Sequence, residues 1–297
     1  MNLAFVTMVW RDYWLLGKWV QHNAAIVPKR HLYVLNHGGD PEIDRIADGC
    51  NVIHVPRDGV TLDLTRRRWD LVAGVTNGLL AFHDAVVCTD VDELLVYAGD
   101  KPSLLDHLAA RPVEKDALAP IGLNLMPTDG KGTDPDEPVL AQHPNALLSA
   151  KYTKPCVAAR SVAYTVGGHG LVGGRFTVDP EILLLHLHFV TPDYAERMRD
   201  RQEIVAESKR ANVESGGEIK TRKRFWINWS DPDMVFRKNA QRLQLAEPWD
   251  EAAGFEGLAH RLDAARSFSG KRAMIDPAST EKDPVRVTLP ERLRHVL

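Results

Sequence analysis

The chain has 297 residues, 44% of them hydrophobic and 26% charged, with a formal net charge of −3 at pH 7. It is long and apolar enough to bury a substantial core, and its charge does not suit a general nucleic-acid binder. No uncharged apolar run reaches the roughly 20 residues that span a bilayer. The longest, 71–82, is too short and holds Gly, Thr and Asn. No basic region precedes the first apolar stretch, which Arg11 and Asp12 soon interrupt, so a first strand is expected there and not a signal peptide. Cys50, Cys88 and Cys156 lie far apart without Cys-x-x-Cys spacing, and reduced thiols in a cytoplasmic protein are expected.

In chain order, Leu3 to Val9 reads as a strand. Trp14, Leu15, Trp19 and Val20 then recur at helical spacing over 12–25. His31 to Leu35 is a second strand, closed by the turn signal Asn36-His37-Gly38-Gly39. A short helix follows Pro41, a third strand covers Asn51 to Val55, and a long helix runs from Leu64 to about Phe82. The fourth strand begins at Ala85. Strands alternating with helices predict an α/β fold with a mostly parallel sheet. A helix is predicted over 102–110 and a strand over 117–125, followed by a Pro-, Gly- and Asp-rich loop over 126–145. A loop of that length in a compact domain is usually functional. Short strands are expected at 156–159, 162–166 and 182–189. Thr191-Pro192-Asp193 then opens a helix with a hydroxyl N-cap, proline at N1 and an acid in the first turn. Gly216-Gly217 ends it. The remainder reads as charged and mostly helical, with a proline-punctuated tail from Asp276 that wraps the surface.

The run Ala85-Val-Val-Cys-Thr-Asp-Val-Asp-Glu-Leu-Leu-Val96 is the most telling. An apolar strand delivers Asp90 and Asp92 to one face, close enough to share a divalent cation at the carboxyl end of the sheet. The buried-looking residues after Glu93 imply a sharp turn at the acids; the plain alternative is a solvated strand end. His186 and His188 fall on one face of an otherwise apolar strand, as cation or phosphate ligands or as histidines hydrogen-bonded at an edge. His169 sits among Gly167, Gly168 and Gly170, either close to a ligand or at a hairpin tip. Of Arg66-Arg67-Arg68, one arginine facing the pocket can pair with a diphosphate, or all three form a solvated basic turn with Trp69 in the core. Lys220 to Trp229 mixes cations and aromatics. It reads as a charged helix with core tryptophans, or as a contact for an anionic lipid surface or a glycan.

Asp-Val-Asp-Glu-Leu-Leu-Val after an apolar strand resembles the Asp-x-Asp-Glu signature of glycosyltransferase family 2-like proteins. The resemblance covers roughly residues 1–210. Leu16-Gly-Lys-Trp-Val-Gln-His22 and Tyr33-Val-Leu-Asn36 are similar to early blocks of that family. Lys151-Tyr-Thr-Lys-Pro155 and His186-Leu-His-Phe-Val-Thr-Pro-Asp-Tyr194 resemble later ones. There are two departures. Trp10-Arg11-Asp12 stands where the family usually has Asn-Glu, and Val190 stands where a Lys or Arg usually faces the leaving diphosphate.

The resemblance implies a GT-A (Rossmann-like) catalytic domain over 1–214, a mixed, mostly parallel sheet flanked by helices, with a mostly helical C-terminal extension over 215–297. It implies a glycosyltransferase, inverting by analogy, that moves a sugar from a nucleotide-diphosphate sugar to a hydroxyl of a glycan or lipid-linked acceptor, as in surface polysaccharide synthesis. The expected metal ligands are Asp90, Asp92, His186 and His188, holding Mn²⁺ or Mg²⁺. Thr7, Arg11, Asn36, Arg67 and Asp90 are expected to bind the nucleotide diphosphate. Asp129 and Glu93 are the candidate general bases, with Asp179 competing and Asp193 better explained as helix-entry chemistry. A cytoplasmic location with peripheral contact at the inner membrane face follows. Two other readings stay open: a metal-dependent phosphatase or nucleotidyl hydrolase using Asp90 and Asp92, and a non-catalytic sugar-binding module.

Overall fold

The computed structural model describes residues 1–57, 64–111, 113, 115–127, 133–214, 232–249, 252 and 254–296. The first half alternates as its sequence predicts: β1 (Leu3–Val9), α1 (Tyr13–Ala24), β2 (Leu32–His37), α2 (Pro41–Ile46), β3 (Asn51–Val55), α3 (Leu64–Leu79) and β4 (Ala85–Cys88). β1 pairs in parallel with β2 on one side and β4 on the other, and β3 extends the parallel set beyond β2. Every residue of β1 is buried because helices cover both faces of this central strand. α1 is pinned under the sheet by Trp19, which is fully buried and donates its indole N–H to Thr89 at 3.2 Å. Asp40 caps α2 by accepting the Glu42 N–H, with proline at N1.

The chain turns back at residues 89–92. β5 (Glu93–Tyr97) leads to α4 (Leu104–Ala110) and the nine-residue β6 (Ala117–Leu125), all of whose residues are buried. Then come α5 (Val139–Gln142), β7 (Asn145–Leu148), β8 (Val157–Ala158), β9 (Gly170–Val172) and β10 (Phe176–His186). β8 bridges β4 and β6 antiparallel to both, β10 runs parallel to β6, and β5 runs antiparallel to β10. The fold is thus a mixed α/β, Rossmann-like sheet flanked by helices.

Three features differ from the sequence expectations. β10 begins at Phe176, although Pro180 interrupts its pattern, because a register shift between Asp179 and Leu183 absorbs the proline in a bulge. The same strand ends at His186, so His188 lies in the following turn and not in a strand. Residues 162–166 form no strand and contribute one bridge, Tyr164 to Leu171.

The C-terminal region is less helical and less separate than expected. After α6 (Tyr194–Glu214) and α7 (Pro232–Leu245) come β11 (Glu247–Pro248), α8 (Gly254–Ala264), β12 (Arg266–Ser269), β13 (Arg272–Ile275), α9 (Ala278–Glu281) and β14 (Val285–Thr288). β14 joins the main sheet through β7, and β12 and β13 form a small sheet with β9. Leu258, Leu262, Ile275, Val287 and Leu293 belong to the same core as β1 and β6. The tail past Asp276 therefore supplies sheet and core. Among the described residues no helix is long and apolar enough to cross a membrane.

Candidate functional site

A cleft of about 1050 Å³ opens over the carboxyl ends of β1 and β4, where an α/β sheet usually binds ligands. Its described lining carries ten Lys and Arg side chains, from Arg57 to Arg272, against six carboxylates. In a chain of net charge −3 this concentrates positive potential in one place and suits an anionic ligand.

Asp92, His186 and His188 converge at the cleft floor, each offering a ligand atom, with all three atoms within 4.8 Å of one another. The Asp92 carboxylate stands 3.6 Å from His186 Nε2 and 3.6 Å from His188 Nδ1. β5 and β10 place them: Glu93 pairs with His186 across the ladder, and the Leu187 N–H donates to the Asp92 carbonyl at 2.8 Å. His186 stacks on Tyr152 at 3.7 Å between centroids and on His188 at 5.5 Å.

Asn124 on β6, in register with His186, sets that ring's tautomer. Its Nδ2 points at the Met126 sulfur at 4.0 Å, which leaves Oδ1 to accept the His186 Nδ1–H at 2.7 Å. The Nε2 lone pair then faces the Asp92 carboxylate. Burial pushes His186 down and pushes His188 down to about 3, so both are neutral near pH 7. Two acceptors facing each other across 3.6 Å is an arrangement that a shared cation resolves, and a metal-binding histidine usually donates its other ring N–H to an oxygen acceptor, the place Asn124 Oδ1 takes here. Asp92 itself is held well below the usual carboxylate range. Burial opposes this, but the histidines when protonated and Arg197 outweigh it. At neutral pH that leaves Arg197, 3.5 Å away, as the cation facing Asp92.

Asp90 stands apart from these three residues. One of its oxygens is paired with Arg68 and the other accepts from Lys154 Nζ at 2.8 Å. Lys154 is 2% exposed and also contacts Glu93 at 2.5 Å. Burial disfavours charge on Asp90, but Lys154 and Arg68 outweigh it and depress its pKa. The same two carboxylates keep Lys154 protonated against its burial. Glu93 is 1% exposed, and burial lifts it to about 7 in spite of Lys154. The turn at 89–93 is therefore built on an internal ion-pair lattice.

The other residues expected to bind a nucleotide mostly lie outside the cleft lining. Thr7 is fully buried inside β1, and Asn36, also fully buried, bonds Asp40 and Asp44 to shape the β2–α2 turn, so neither faces the cleft. β1 is covered on both faces, and alternation along such a strand does not mark an open side. Arg68 and not Arg67 turns toward Asp90, with a further bond to the Met8 carbonyl at 3.3 Å. Arg11 is outside the lining and pairs with Asp200 on the cleft wall at 2.8 Å. Its neighbour Trp10 does line the cleft, stacked under Arg57 at 3.9 Å. Arg11 and Asp12 both adopt left-handed backbone (φ 55° and 50°), a conformation that costs about 1–3 kcal/mol per residue. Ion pairs to α6 hold it, with Asp12 contacting Arg197 at 2.6 Å and Arg201 at 3.4 Å. Asp129 and the 220–229 run lie outside the described residues.

His169 lines the cleft and bonds the Lys151 carbonyl at 2.9 Å, which makes it a fixed wall residue. Gly168 allows this turn: its φ is +68°, and a Cβ there would lie 2.3 Å from the Trp69 ring. Asp179 is remote from the cleft lining and is held by His107 at 3.0 Å. The residues that sequence reasoning missed are Asn124 and Arg197, together with the roles of Lys154 and Tyr152. Lys154 and Tyr152 stood in a recognised block, and the partners of all four are set by long-range packing.

No protein-family model matches the chain, and no curated protein matches it. Among solved structures, a mannose-1-phosphate geranyltransferase from Thermus thermophilus is similar at 9% identity over 74% of this chain and 66% of that one, with a TM-score of 0.29. CMP:2-keto-3-deoxy-manno-octonic acid synthetase complexed with CTP is similar at 17% identity over 42% of this chain and 54% of that one, with a TM-score of 0.25. The chain thus spans just under two thirds of the first and about half of the second. Similarity of this extent assigns no activity to it.

Proposed function

We propose that the protein is a metal-dependent glycosyltransferase of GT-A type that uses a nucleotide-diphosphate sugar, with inversion at the transferred carbon. The observation that carries this reading is the Asp92–His186–His188 group, with opposed acceptor atoms, at the floor of a cation-rich cleft above the carboxyl ends of β1 and β4. Two imidazoles and one carboxylate suit Mn²⁺ better than Mg²⁺, which prefers oxygen ligands. When bound, such a cation supplies Lewis-acid neutralisation of the departing diphosphate. Arg197 and Arg201, both lining the cleft, provide the positive charge that Val190 does not. Arg68 and Lys154 fix the 89–93 turn through Asp90, so Asp90 positions Asp92 instead of binding the cation. Trp10 and Arg57 offer the donor a stacking surface in place of Thr7 and Asn36. Glu93 is committed to Lys154, which leaves Asp129 as the proposed general base. The hydrolase reading needs a free nucleophilic Asp90, and both of its oxygens are occupied by cations.

The test is a panel of UDP-, GDP- and CDP-sugars with Mn²⁺ or with EDTA, read as binding by calorimetry and as donor hydrolysis. Expected is metal-dependent binding of at least one donor that is lost in Asp92→Ala. Binding indifferent to both metal and that substitution, or release of phosphate from simple monoesters without donor binding, overturns the proposal.

A further inference from the structure

We infer that the cleft has a second anion-binding subsite on its C-terminal rim, built to receive a phosphate group carried by the acceptor sugar. The assignment of an acceptor rests on the transferase reading; the anion site itself does not. Three segments distant in sequence meet there. Lys238 and Arg242, four residues apart on α7, both line the cleft and so share one helix face. Thr280 ties that face to the turn bearing Lys151: its carbonyl accepts from Arg242 Nη2 at 3.3 Å, and its hydroxyl accepts the Ala150 N–H at 3.1 Å. Arg272 at the start of β13 adds a fourth cation, and Glu281 is the acid on this rim.

The rim is fixed in place close to the Asp92 group. Phe236 on α7 packs on Phe189 at 5.9 Å and on Tyr194 at 6.2 Å, and Phe189 in turn packs on His188 at 4.8 Å. Leu243, on the same face of α7 as Phe236, and Ala246 just past the helix join Leu147 and Met126 in the same apolar cluster. A helix anchored by its apolar face and turning two cations into a concave site beside the reacting centre is placed to orient a bound anion. The concavity favours a discrete phosphate on a soluble sugar over a flat bilayer. Arg242 brings a planar donor set and Lys238 a mobile point charge, the two complementary ways of holding a phosphate.

The probes are glucose 1-phosphate, glucose 6-phosphate and glucose, titrated into the full chain and followed by saturation-transfer NMR and calorimetry. At least one phosphorylated sugar is expected to bind tenfold or more tightly than glucose. Lys238→Gln/Arg242→Gln is expected to abolish that difference, and Lys238→Glu, at an exposed position with no side-chain hydrogen bond or ion pair among the described residues, to reduce it. Asp92→Ala is expected to leave it within twofold. Equal binding of phosphorylated and neutral sugars, or full retention in both rim variants, overturns the subsite. Rim-dependent sedimentation with phosphatidylglycerol vesicles in the absence of sugar-phosphate binding also overturns it, in favour of membrane contact. Absence of nucleotide-sugar binding to the unaltered chain, with rim binding present, refutes the transferase reading and leaves the anion site standing.

Discussion

Replacing Lys154 by Met tests the internal lattice beneath the site. The ammonium lies 2.8 Å from Asp90 and 2.5 Å from Glu93, and its side chain is 3% exposed. Removing it leaves Asp90 with Arg68 alone and Glu93 with only the Asp90 N–H at 3.2 Å. Breaking a buried ion pair from one side costs about 3–5 kcal/mol. The cost depends on pH, and its sign follows from Glu93. The folded-state pKa of Glu93 is lifted to about 7, so its contribution to stability is fully present below its unfolded value of 4.5 and is lost as pH rises through 7. Without Lys154 that loss deepens, by up to about 1.4 kcal/mol for each pH unit by which the carboxyl pKa rises further. At pH 8 the variant is therefore expected to lose about 3–5 kcal/mol, or on the order of 10 °C in Tm. At pH 5, where Glu93 is protonated, the loss is expected to shrink to about half. Urea and thermal unfolding at the two pH values measure this, and Glu93→Gln in the same background is expected to restore part of the pH 8 loss. A variant as stable as the parent at pH 8, or equally destabilised at both pH values, refutes the lattice.

Other substitutions probe separate parts of the structure. Gly122→Ala places a Cβ 2.2 Å from the Tyr152 carbonyl carbon and 2.4 Å from the Thr153 nitrogen, so the turn carrying Lys154 must move. A loss of about 1–3 kcal/mol is expected in urea unfolding, and unchanged stability contradicts the packing. His107→Phe strips the fully buried Asp179 of its 3.0 Å partner and is expected to cost about 1–3 kcal/mol, while His107→Phe/Asp179→Leu recovers most of it; equal losses in the single and double variants refute the pairing. Arg197→Ala is expected to weaken UDP binding about tenfold or more, the worth of a charge-assisted hydrogen bond, while uridine binding changes less than twofold. Equal losses for UDP and uridine in calorimetry contradict a phosphate role for Arg197.

The sequence was most legible where burial on both faces produces a bounded apolar run: β1 and β6 match their predicted ends, and β3 matches its own although it is a partly exposed edge strand. The acid turn was equally legible, because apolar residues on both sides of Asp90–Glu93 allow only a tight reversal. β10 was half hidden, since Pro180 reads as a break until the neighbouring strand shows a bulge around it. The C-terminal strands are short and partly exposed, and their pairing with β7 and β9 is a long-range fact that periodicity does not carry. At the site, the convergence of Asp92 with His186 and His188 followed from the motifs. The different partners of the two aspartates did not, because nothing local marks Lys154 as buried or Arg68 as the arginine that turns inward. Arg197 sits on a charged helix whose sequence reads as surface; docking against Asp12 gives it its place.

The proposed function requires a single divalent-cation site at Asp92, His186 and His188 that nucleoside diphosphate tightens. Electron paramagnetic resonance titration of the full chain with Mn²⁺ measures it directly. One site is expected, strengthened at least tenfold by UDP or GDP, lost in Asp92→Ala and weakened in His188→Ala, with Asp90→Asn retaining the cation at reduced affinity. Absence of bound Mn²⁺ at millimolar concentration with nucleotide present, or a site untouched by Asp92→Ala, contradicts it.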